Sequence, residues 1–444
     1  MKKTLILFLM AVLLCGTLFA GGGRQQIPDD AAVGEHPITL QFWNSWTGPD
    51  GDTLVAIVNE FNRTNPWQIT VEMDISAGAA LTQRLTTALP SGEGAELILQ
   101  TTGNRFRYQE FLHNMNDIWT NTNLREQDFL GGFLDLGRID NSLYMVPFQH
   151  SAMFLYWNRE LFRRAGLDPN RPPQSFEEWT SMAERITDPT RNVFGSGLFY
   201  SFGGQQNGLM QLAGGLAITE PSPGRYRVNF AGNEGFRRYL TWQKDLFDRG
   251  INPLEENVDP MFMAGQIGIL INGGWLAAGA DRSGIDFEMA RIFGNEPRGG
   301  LSGFMITNSA RSDVVRRTAQ KFIEWWYRGN DGSNLATTGA GRWALEIGFP
   351  TSYIPLINHP GYQANERIRT LTISDPNTIL AVQVPPSFRG SIDAIIGALS
   401  QEVVFSPARG SADIQRAIDT ALANAQRDAE DIVIQFHGSA ALVR

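Results

Sequence analysis

The sequence predicts an α/β protein, and two features of its order indicate this class. Short apolar strands alternate with amphipathic helices: ITLQFW (38–43) precedes the helical pattern GDTLVAIVNEFNRT (51–64), and QITVEMD (68–74) follows. Consecutive strands also begin about 30 residues apart, the length of a right-handed strand–helix–strand crossover in a parallel sheet. With 444 residues, the chain is long enough for two or three such domains.

The same alternation continues along the chain. AELILQT (95–101) reads as a third strand, and two apolar runs, LYMVPFQ (143–149) and AMFLYWN (152–158), follow close together. Ser175 and Glu178 form a capping box that predicts a helix start. The remaining strands are predicted at 267–272 and 287–293, and the remaining helices at 80–89, 175–186, 234–249, 313–328, 391–404 and 411–436.

The N-terminus reads as a targeting segment. Lys2 and Lys3 precede an apolar stretch that ends at Ala20, followed by small glycine residues, so residues 1–22 are predicted to be a secretory signal peptide. The protein is therefore expected to be exported, and to be periplasmic. The single cysteine, Cys15, lies inside this segment, and if it were lipidated the protein would be tethered to the membrane exterior instead.

Composition argues against several classes of function. The net charge is −9 and becomes more negative without the leader's two lysines, so no nucleic acid is expected as a partner. The five histidines are scattered and no HExxH pattern occurs, so neither a metal nor another cofactor is expected. No catalytic motif stands out, and the expected protein is not an enzyme.

Two tryptophans at the end of the first strand indicate where a ligand would bind. In open parallel sheets, ligands bind beyond the carboxyl ends of the strands. Trp43 and Trp46 lie at that end. Trp43 could equally cap the core beneath it, whereas Trp46, beside Thr47 and Gly48, is harder to bury and is predicted to face a ligand.

Five segments in the same order resemble a known family. ITLQFWNSWTGPDGDTLVAIVNEFNRTNP, LYMVPFQHSAMFLYWNRELFRRAGLDPNRPPQSFEEW, FMAGQIGILINGGW, SGFMIT and GFPTSYIP are similar to segments of the extracellular solute-binding proteins of ABC importers. The resemblance is to their carbohydrate-binding group, which is related to maltose-binding protein. It implies a two-lobed periplasmic-binding-protein-like fold, with a hinge and a ligand cleft between lobes built from discontinuous segments. The implied division is 37–146 plus 303–347 for the first lobe and 147–302 plus 348–444 for the second.

The resemblance also implies which residues face the ligand. On the first lobe these are the residues after the first and third strands, and on the second lobe they include Trp275 as the stacking aromatic. The implied binding residues are Trp43, Asn44, Trp46, Thr47, Thr101, Thr102, Asn104, Gln149, His150, Ser151, Phe202, Gln205, Trp275, Ser302, Gly303 and Arg389. Aromatic side chains cover the apolar face of a sugar ring, while amides and hydroxyls bind its hydroxyl groups.

The implied function is the capture of a mono- or oligosaccharide and its delivery to the permease subunits of an ABC transporter, by a monomer. An alternative cargo is glycerol 3-phosphate or another small anion, which Arg342 or Arg389 in the cleft would favour. A secreted carbohydrate-active enzyme would need two carboxylates facing each other across the cleft, and no such pair is evident at its rim. A sensor subunit that presents its closed form to a receptor stays open as a further alternative.

Overall fold

The structure is a computed structural model that describes residues 27–101, 104, 107–222, 224–295, 299–372 and 389–443. The expected signal peptide (1–22) and Cys15 lie outside these residues, so cleavage and lipidation stay predictions. Across the described ranges, no helix is both long enough and apolar enough to cross a membrane.

Strands and helices alternate through both halves of the chain. The strands are β1 (Ile38–Asn44), β2 (Ile69–Ile75), β3 (Leu97–Thr101), β4 (Arg138–Ile139), β5 (Ser142–Leu143), β6 (Val146–Asn158), β7 (Phe194–Gly197), β8 (Ile218–Ser222), β9 (Arg225–Val228), β10 (Ile267–Gly273), β11 (Phe287–Ala290) and β12 (Gly299–Ile306). The helices are α1 (Pro49–Thr64), α2 (Gly78–Ala88), α3 (Ile118–Asn121), α4 (Gly131–Asp135), α5 (Arg159–Arg164), α6 (Phe176–Ile186), α7 (Gly203–Leu212), α8 (Glu234–Asp248), α9 (Asp259–Met263), α10 (Trp275–Ser283), α11 (Asp313–Arg328), α12 (Gly339–Arg342), α13 (Ile354–Ile357), α14 (Pro360–Ala364), α15 (Glu366–Leu371), α16 (Arg389–Phe405) and α17 (Ser411–His437), with a π-helical turn at Trp343–Ile347.

One mixed sheet runs through the molecule in the order β2–β1–β3–β12–β6–β10–β7, with β11 added to β6. β1 is parallel to β2 and β3, which confirms the predicted crossovers. β12 lies antiparallel between β3 and β6, and β10 is antiparallel to β6 but parallel to β7. We call the half around β1–β3 the first lobe and the half around β7 and β10 the second lobe, and each contains separate chain segments.

The strand β6 connects the two lobes. Its first part, up to Ala152, pairs with β12, and its second part, from Met153, pairs with β10 and β11. In the sequence this strand shows as two separate apolar runs, because the polar residues 149–151 interrupt the apolar pattern. The backbone of these polar residues pairs with β12 and keeps the strand continuous.

β12 approaches β6 closely at an irregular step between Ser302 and Gly303. A Cβ atom on Gly303 would lie 2.3 Å from Cγ of Met145 and 2.5 Å from the carbonyl oxygen of Val146. Both distances are far below normal contact, so only glycine allows the two strands to pass here. The connection between the lobes is therefore tightly packed as well as hydrogen-bonded.

Apolar periodicity accounts for the helix that follows β1. Leu54, Ile57 and Phe61 of α1 are fully buried, and Phe61 packs edge-on against Phe322 of α11 at 4.9 Å between ring centroids. In the second lobe, α6 buries Trp179, whose indole N–H donates to the hydroxyl of Ser196 at 3.1 Å. Each lobe thus has a core of its own, on which helices cover the sheet.

The boundary of the second lobe lies later than the resemblance implied. Phe349, Tyr353 and Tyr362 belong to the hydrophobic core of the first lobe, where Tyr353 packs against Phe129 at 5.3 Å. The assignment of 348–444 to the second lobe is therefore corrected for these residues, because their apolar side chains are buried in the other lobe. Helices α16 and α17 pack on the second-lobe core.

The predicted strand 287–293 is also shorter than expected. The structure ends it at Ala290, and Phe293 has a φ of 52° in the left-handed region. That backbone conformation cannot continue a strand, so the apolar residues 292–293 belong to a turn.

Candidate ligand cleft

The first-lobe side of the cleft is built on the carboxyl end of β1. Asn44, the last residue of β1, is fully buried, and its Oδ1 accepts a hydrogen bond from the backbone N–H of Trp46 at 3.0 Å. The Nδ2 atom of Asn44 has no hydrogen-bond partner among the described residues. A buried amide donor left unpaired costs roughly 1–3 kcal/mol, so this group is ready to donate to an acceptor that reaches it.

Trp43 caps the core and does not line the cleft. It is 5% exposed, and the guanidinium of Arg84 lies 3.5 Å from the centroid of its ring. Arg84 in turn pairs with Asp74 at 2.6 Å. The expected ligand role of Trp43 is therefore corrected, because a helix side chain covers the ring. Its indole nitrogen has no partner among the described residues.

Trp46 keeps part of its ring exposed beyond the strand. The ring lies 6.1 Å from that of Phe148 on β6, and it packs only partly against the first-lobe core. A Cβ atom on Gly51 would lie 2.0 Å from the carbonyl oxygen of Trp46, so the Trp46 backbone rests directly on the first turn of α1. Thr47 is exposed beside it. This backbone contact holds an aromatic ring at the rim of the sheet.

Trp275 is the corresponding aromatic residue of the second lobe. It opens α10 directly after β10, and it is partly buried between two cores. Its ring lies across Gly273, where a Cβ atom would meet the ring carbons at 2.1–2.3 Å. The ring of Phe202 is 6.4 Å away, tilted by 49°. Helix α10 also contacts α1 of the first lobe, so the two sides of the cleft approach each other here.

The predicted residues on the connecting strand are more buried than expected. The Oε1 atom of Gln149 accepts from the indole N–H of Trp343, and the ring of His150 stacks on Phe133 at 4.8 Å. Burial lowers the pKa of His150 to about 3, so the ring is neutral near pH 7. The expected position of Gln149 and His150 at the mouth of the cleft is corrected. Ser151 lies on the same strand, β6, and its backbone pairs with that of Gly300 on β12.

Three more expected contacts lie inside the protein. Gln205 is 1% exposed, and its amide bonds the backbone of Phe199 and Ile271. Ser302 and Gly303 sit in β12 between two paired strands, so their backbone does not form the rim. These three expectations are corrected, because hydrogen bonds within the protein already occupy the groups that a ligand would need.

The remaining expected residues lie near the ends of elements. Thr101 is exposed at the end of β3, and the amide of Asn104 donates to Oε1 of Gln100 at 2.6 Å. Arg389 is the first residue of α16. Thr102 lies outside the described residues.

Two charged side chains, Arg342 and Asp259, are bonded to other side chains of the protein. Arg342 bonds Glu60 of α1 at 2.7 Å and Glu346 at 2.9 Å, and its hydrogen bond with Glu346 raises its pKa. In the second lobe, burial raises the pKa of Asp259 to about 6, although a hydrogen bond from Asn272 opposes the rise. Within the described part of the chain, no three His, Cys, Asp or Glu side chains gather as a metal site would require.

The expected set omitted two residues that contact the tryptophans at the end of β1. Phe148 backs Trp46, and Arg84 covers Trp43. Phe148 reads in sequence as an ordinary strand residue, and Arg84 as an exposed helix residue. No local pattern distinguishes them, because each acts through a contact with a distant segment.

Comparison with known proteins agrees with this architecture. The family model of the bacterial extracellular solute-binding proteins matches residues 45–328. A Brucella abortus (strain 2308) protein described as a binding protein is 23% identical over 278 residues, covering 59% of this chain and 63% of that protein. The sn-glycerol-3-phosphate-binding periplasmic protein UgpB of Salmonella typhimurium (strain LT2) is 26% identical over 188 residues, covering 39% and 40%. The chain thus spans about three fifths of the first relative and two fifths of the second.

Solved structures show the same fold at low sequence identity. A solute-binding protein of Thermotoga lettingae bound with α-D-tagatose has a TM-score of 0.70 at 18% identity, with 88% of this chain and 99% of that chain covered. The GacH receptor of Streptomyces glaucescens, solved with acarbose, has a TM-score of 0.71 at 16% identity, with 91% and 100% covered. These structures share the two-lobed fold. Since the family model matches more than half of the sequence, the chain belongs to the bacterial extracellular solute-binding proteins.

Proposed function

We propose that the protein captures a carbohydrate between its lobes and delivers it to the permease of an ABC importer. One observation carries the proposal: Trp46 and Trp275 lie on opposite lobes, each with its ring partly exposed. Two aromatic faces on opposing walls suit a sugar ring, whose C–H faces are apolar. Both relatives with solved structures described above are named with bound sugars or sugar analogues, which supports this class of cargo.

Polar groups near the first tryptophan suit the rim of a sugar. The hydroxyl of Thr47 and the unpaired amide donor of Asn44 lie within three residues of Trp46. Hydroxyl and amide groups bind sugar hydroxyls in the plane of the ring, while the tryptophans cover its faces. A ligand that contacts both lobes stabilises the closed state, so we infer hinge closure about β6 and β12.

A small anion such as glycerol 3-phosphate is the second candidate, and the sequence similarity to UgpB favours it. The pairing of Arg342 argues against it. Two carboxylates already neutralise this guanidinium, so it is not available to bind a phosphate in the described structure. Capture of an anion by Arg342 would first have to break two ion pairs.

Delivery to a permease, a monomeric state and a periplasmic location complete the proposal. A binding protein that closes on its cargo offers a transporter a shape that differs from the empty form, which is how binding could be coupled to transport. Family membership supports the extracellular location, and the fold of known sugar-binding relatives supports the transport role.

A thermal-shift screen of the purified protein tests the proposal. The panel would contain mono-, di- and oligosaccharides, polyols and glycerol 3-phosphate. A ligand at 100 times its dissociation constant adds about 2.7 kcal/mol to the free energy of unfolding, which raises the midpoint measurably. A shift with a neutral sugar supports carbohydrate capture. A shift with the phosphate alone would overturn the sugar assignment and select the second candidate, and no shift with any compound would contradict both.

A further inference from the structure

The helix α7 begins directly after Phe202 and buries polar side chains. Gln205, Gln206 and Asn207 are each at most 1% exposed. Burying an amide without hydrogen bonds costs several kcal/mol, so a buried run of three needs partners. Each of the three side chains has at least one, and the partners lie on different segments of the second lobe.

Gln205 joins the strand that leads to Trp275 with the segment before Phe202. Its Nε2 donates to the carbonyl oxygen of Ile271 at 2.6 Å, and its Oε1 accepts from the backbone N–H of Phe199 at 3.1 Å. Ile271 lies four residues before Trp275 on β10. One side chain therefore fixes the spacing between the segments that carry the two aromatic rings.

Gln206 extends the connection to α16. Its Nε2 donates to the carbonyl oxygen of Phe199, and its Oε1 accepts from the hydroxyl of Tyr239 and from Nε2 of Gln243 at 3.1 Å. Gln243 in turn accepts from the hydroxyl of Ser400 at 2.8 Å. The hydrogen bonds thus run without interruption from β10 through α7 and α8 to α16.

Asn207 ties the beginning of α16 to α7. Its Nδ2 donates to Oδ1 of Asp393 at 3.0 Å, one turn after Arg389. Two glycines bring the backbones together at the same place. A Cβ atom on Gly203 would lie 1.7 Å from the carbonyl oxygen of Asp393, and one on Gly397 would lie 2.3 Å from that of Ser201.

We infer that Gln205, Gln206 and Asn207 form a positioning network that holds the second-lobe wall of the cleft. The network joins the segments that end at Trp275, Phe202 and Arg389 without itself contacting a ligand. Leucine or methionine could fill the same volume, but neither would fix the mutual position of three backbone segments. The inference rests on the proposed function, because it takes these segments to be the wall that meets the ligand.

Fluorine NMR of the full chain labelled with 5-fluorotryptophan tests the network without a ligand. The Trp275 and Trp46 signals are assigned by Trp275→Phe and Trp46→Phe. Gln205→Met removes the three hydrogen bonds of this side chain, to Phe199, Gln206 and Ile271, at nearly constant volume. It should shift or broaden the Trp275 signal while the Trp46 signal stays in place. The matched control is Gln320→Met, which removes a buried amide of the first lobe bonded to Asn121 and Asp117 and should leave the Trp275 signal unchanged.

Affinity for maltotriose gives the second readout, and we expect Gln205→Met to weaken it at least fivefold, with Gln320→Met near wild type. An unchanged Trp275 signal in folded Gln205→Met would overturn the network, whether or not maltotriose binds. Failure of wild type to bind any sugar of the thermal-shift panel would contradict the proposed function and leave the NMR result to decide the network alone. Should Gln205→Met not fold, Gln205→Asn, whose shorter amide cannot reach Ile271, replaces it with the same expectations.

Discussion

At the scale of single residues, the proposed ligand site rests on two tryptophans that are each partly buried and partly exposed. Trp46 is supported from behind by Phe148, and Trp275 lies on a backbone that carries no side chain at position 273. Each tryptophan packs partly against a hydrophobic core and is partly exposed to solvent. Such rings are held in place before a ligand arrives, so binding loses little side-chain entropy.

Replacing either exposed ring should weaken binding without unfolding the protein. We expect Trp46→Ala and Trp275→Ala each to raise the dissociation constant of the cargo at least tenfold, because each removes one aromatic wall of the cleft. Titration calorimetry with the sugar found in the thermal-shift screen measures this. Trp67→Ala is the matched control: its ring is also partly buried, but it precedes β2 at the opposite edge of the sheet. Wild-type affinity in folded Trp46→Ala would reduce that residue to core packing.

A methyl group on Gly273 should displace the ring of Trp275. The added Cβ would overlap ring carbons at 2.1–2.3 Å, so we expect Gly273→Ala to weaken sugar binding about as much as Trp275→Ala does. Gly274→Ala is the neighbouring control, since its Cβ would meet Leu371 at an ordinary 3.4 Å. Titration calorimetry compares the two variants. Equal, unaffected binding by both would mean that the ring position does not matter.

The buried His150 should make stability depend on pH. Its pKa falls from 6.5 in the unfolded chain to about 3 in the folded protein, so the unfolded state binds the extra proton between these values. The free energy of unfolding should therefore fall as the pH drops from about 6.5 towards 3, by up to ~1.4 kcal/mol per pH unit for this group. In His150→Gln, this pH-dependent part of the free energy of unfolding should be absent.

Urea denaturation of wild type and His150→Gln across this pH range measures the difference. Asp259 titrates in both proteins with the opposite sign, because its raised pKa favours the folded state as the pH falls through about 6. Its contribution cancels when the two curves are subtracted. If the free energies of unfolding of the two proteins change with pH in parallel, His150 does not titrate as its burial indicates.

At the scale of elements, periodic segments were predictable and polar ones were not. The helices α1, α6 and α11 follow from apolar spacing, and the Ser175 cap confirms the predicted start of α6, since its Oγ accepts from the N–H of Glu178 at 3.2 Å. The helix α7 has no clear apolar period, because it buries several amides beside Leu209 and Met210. The sequence therefore contained no signal for this helix or for its hydrogen-bond partners.

Site residues were predictable only where they end a strand. Trp46 and Trp275 both follow strands that the apolar pattern indicates, and their role in ligand binding stays a prediction. The positions of Gln149 and His150 were wrong, because a polar residue on a strand can equally point into the protein. Only long-range contacts, such as that of His150 with Phe133, decide between the two orientations.

The Ser175 cap gives a prediction for one element. Ser175→Ala should lower the free energy of unfolding by about 1 kcal/mol, because a backbone N–H at the start of α6 loses its acceptor. Ser181→Ala, an exposed substitution in the same helix, serves as the control and should not destabilise the protein. Urea denaturation of both variants measures the difference. No loss from Ser175→Ala would indicate that water replaces the hydroxyl at no cost.

At the scale of the whole molecule, β6 and β12 hold the lobes together. Gly303→Ala should lower the free energy of unfolding by roughly 1–3 kcal/mol, since the new Cβ meets a backbone carbonyl that has no room to move. Gly131→Ala places its methyl group in open space and serves as the control. The midpoints of urea denaturation of Gly303→Ala and Gly131→Ala are compared with that of the wild type. An unchanged midpoint in Gly303→Ala would mean that the two strands separate easily.

The place of β12 in the sheet also decides when the first lobe can fold during synthesis. Ser302 pairs with Thr101, so β3 lacks one neighbour until residues 299–306 have left the ribosome. Pairing between such distant segments makes folding slow, because a long loop must close first. An extracellular protein has to cross a membrane as it leaves the cell. A first lobe whose sheet cannot be completed early leaves the nascent chain unfolded for that passage.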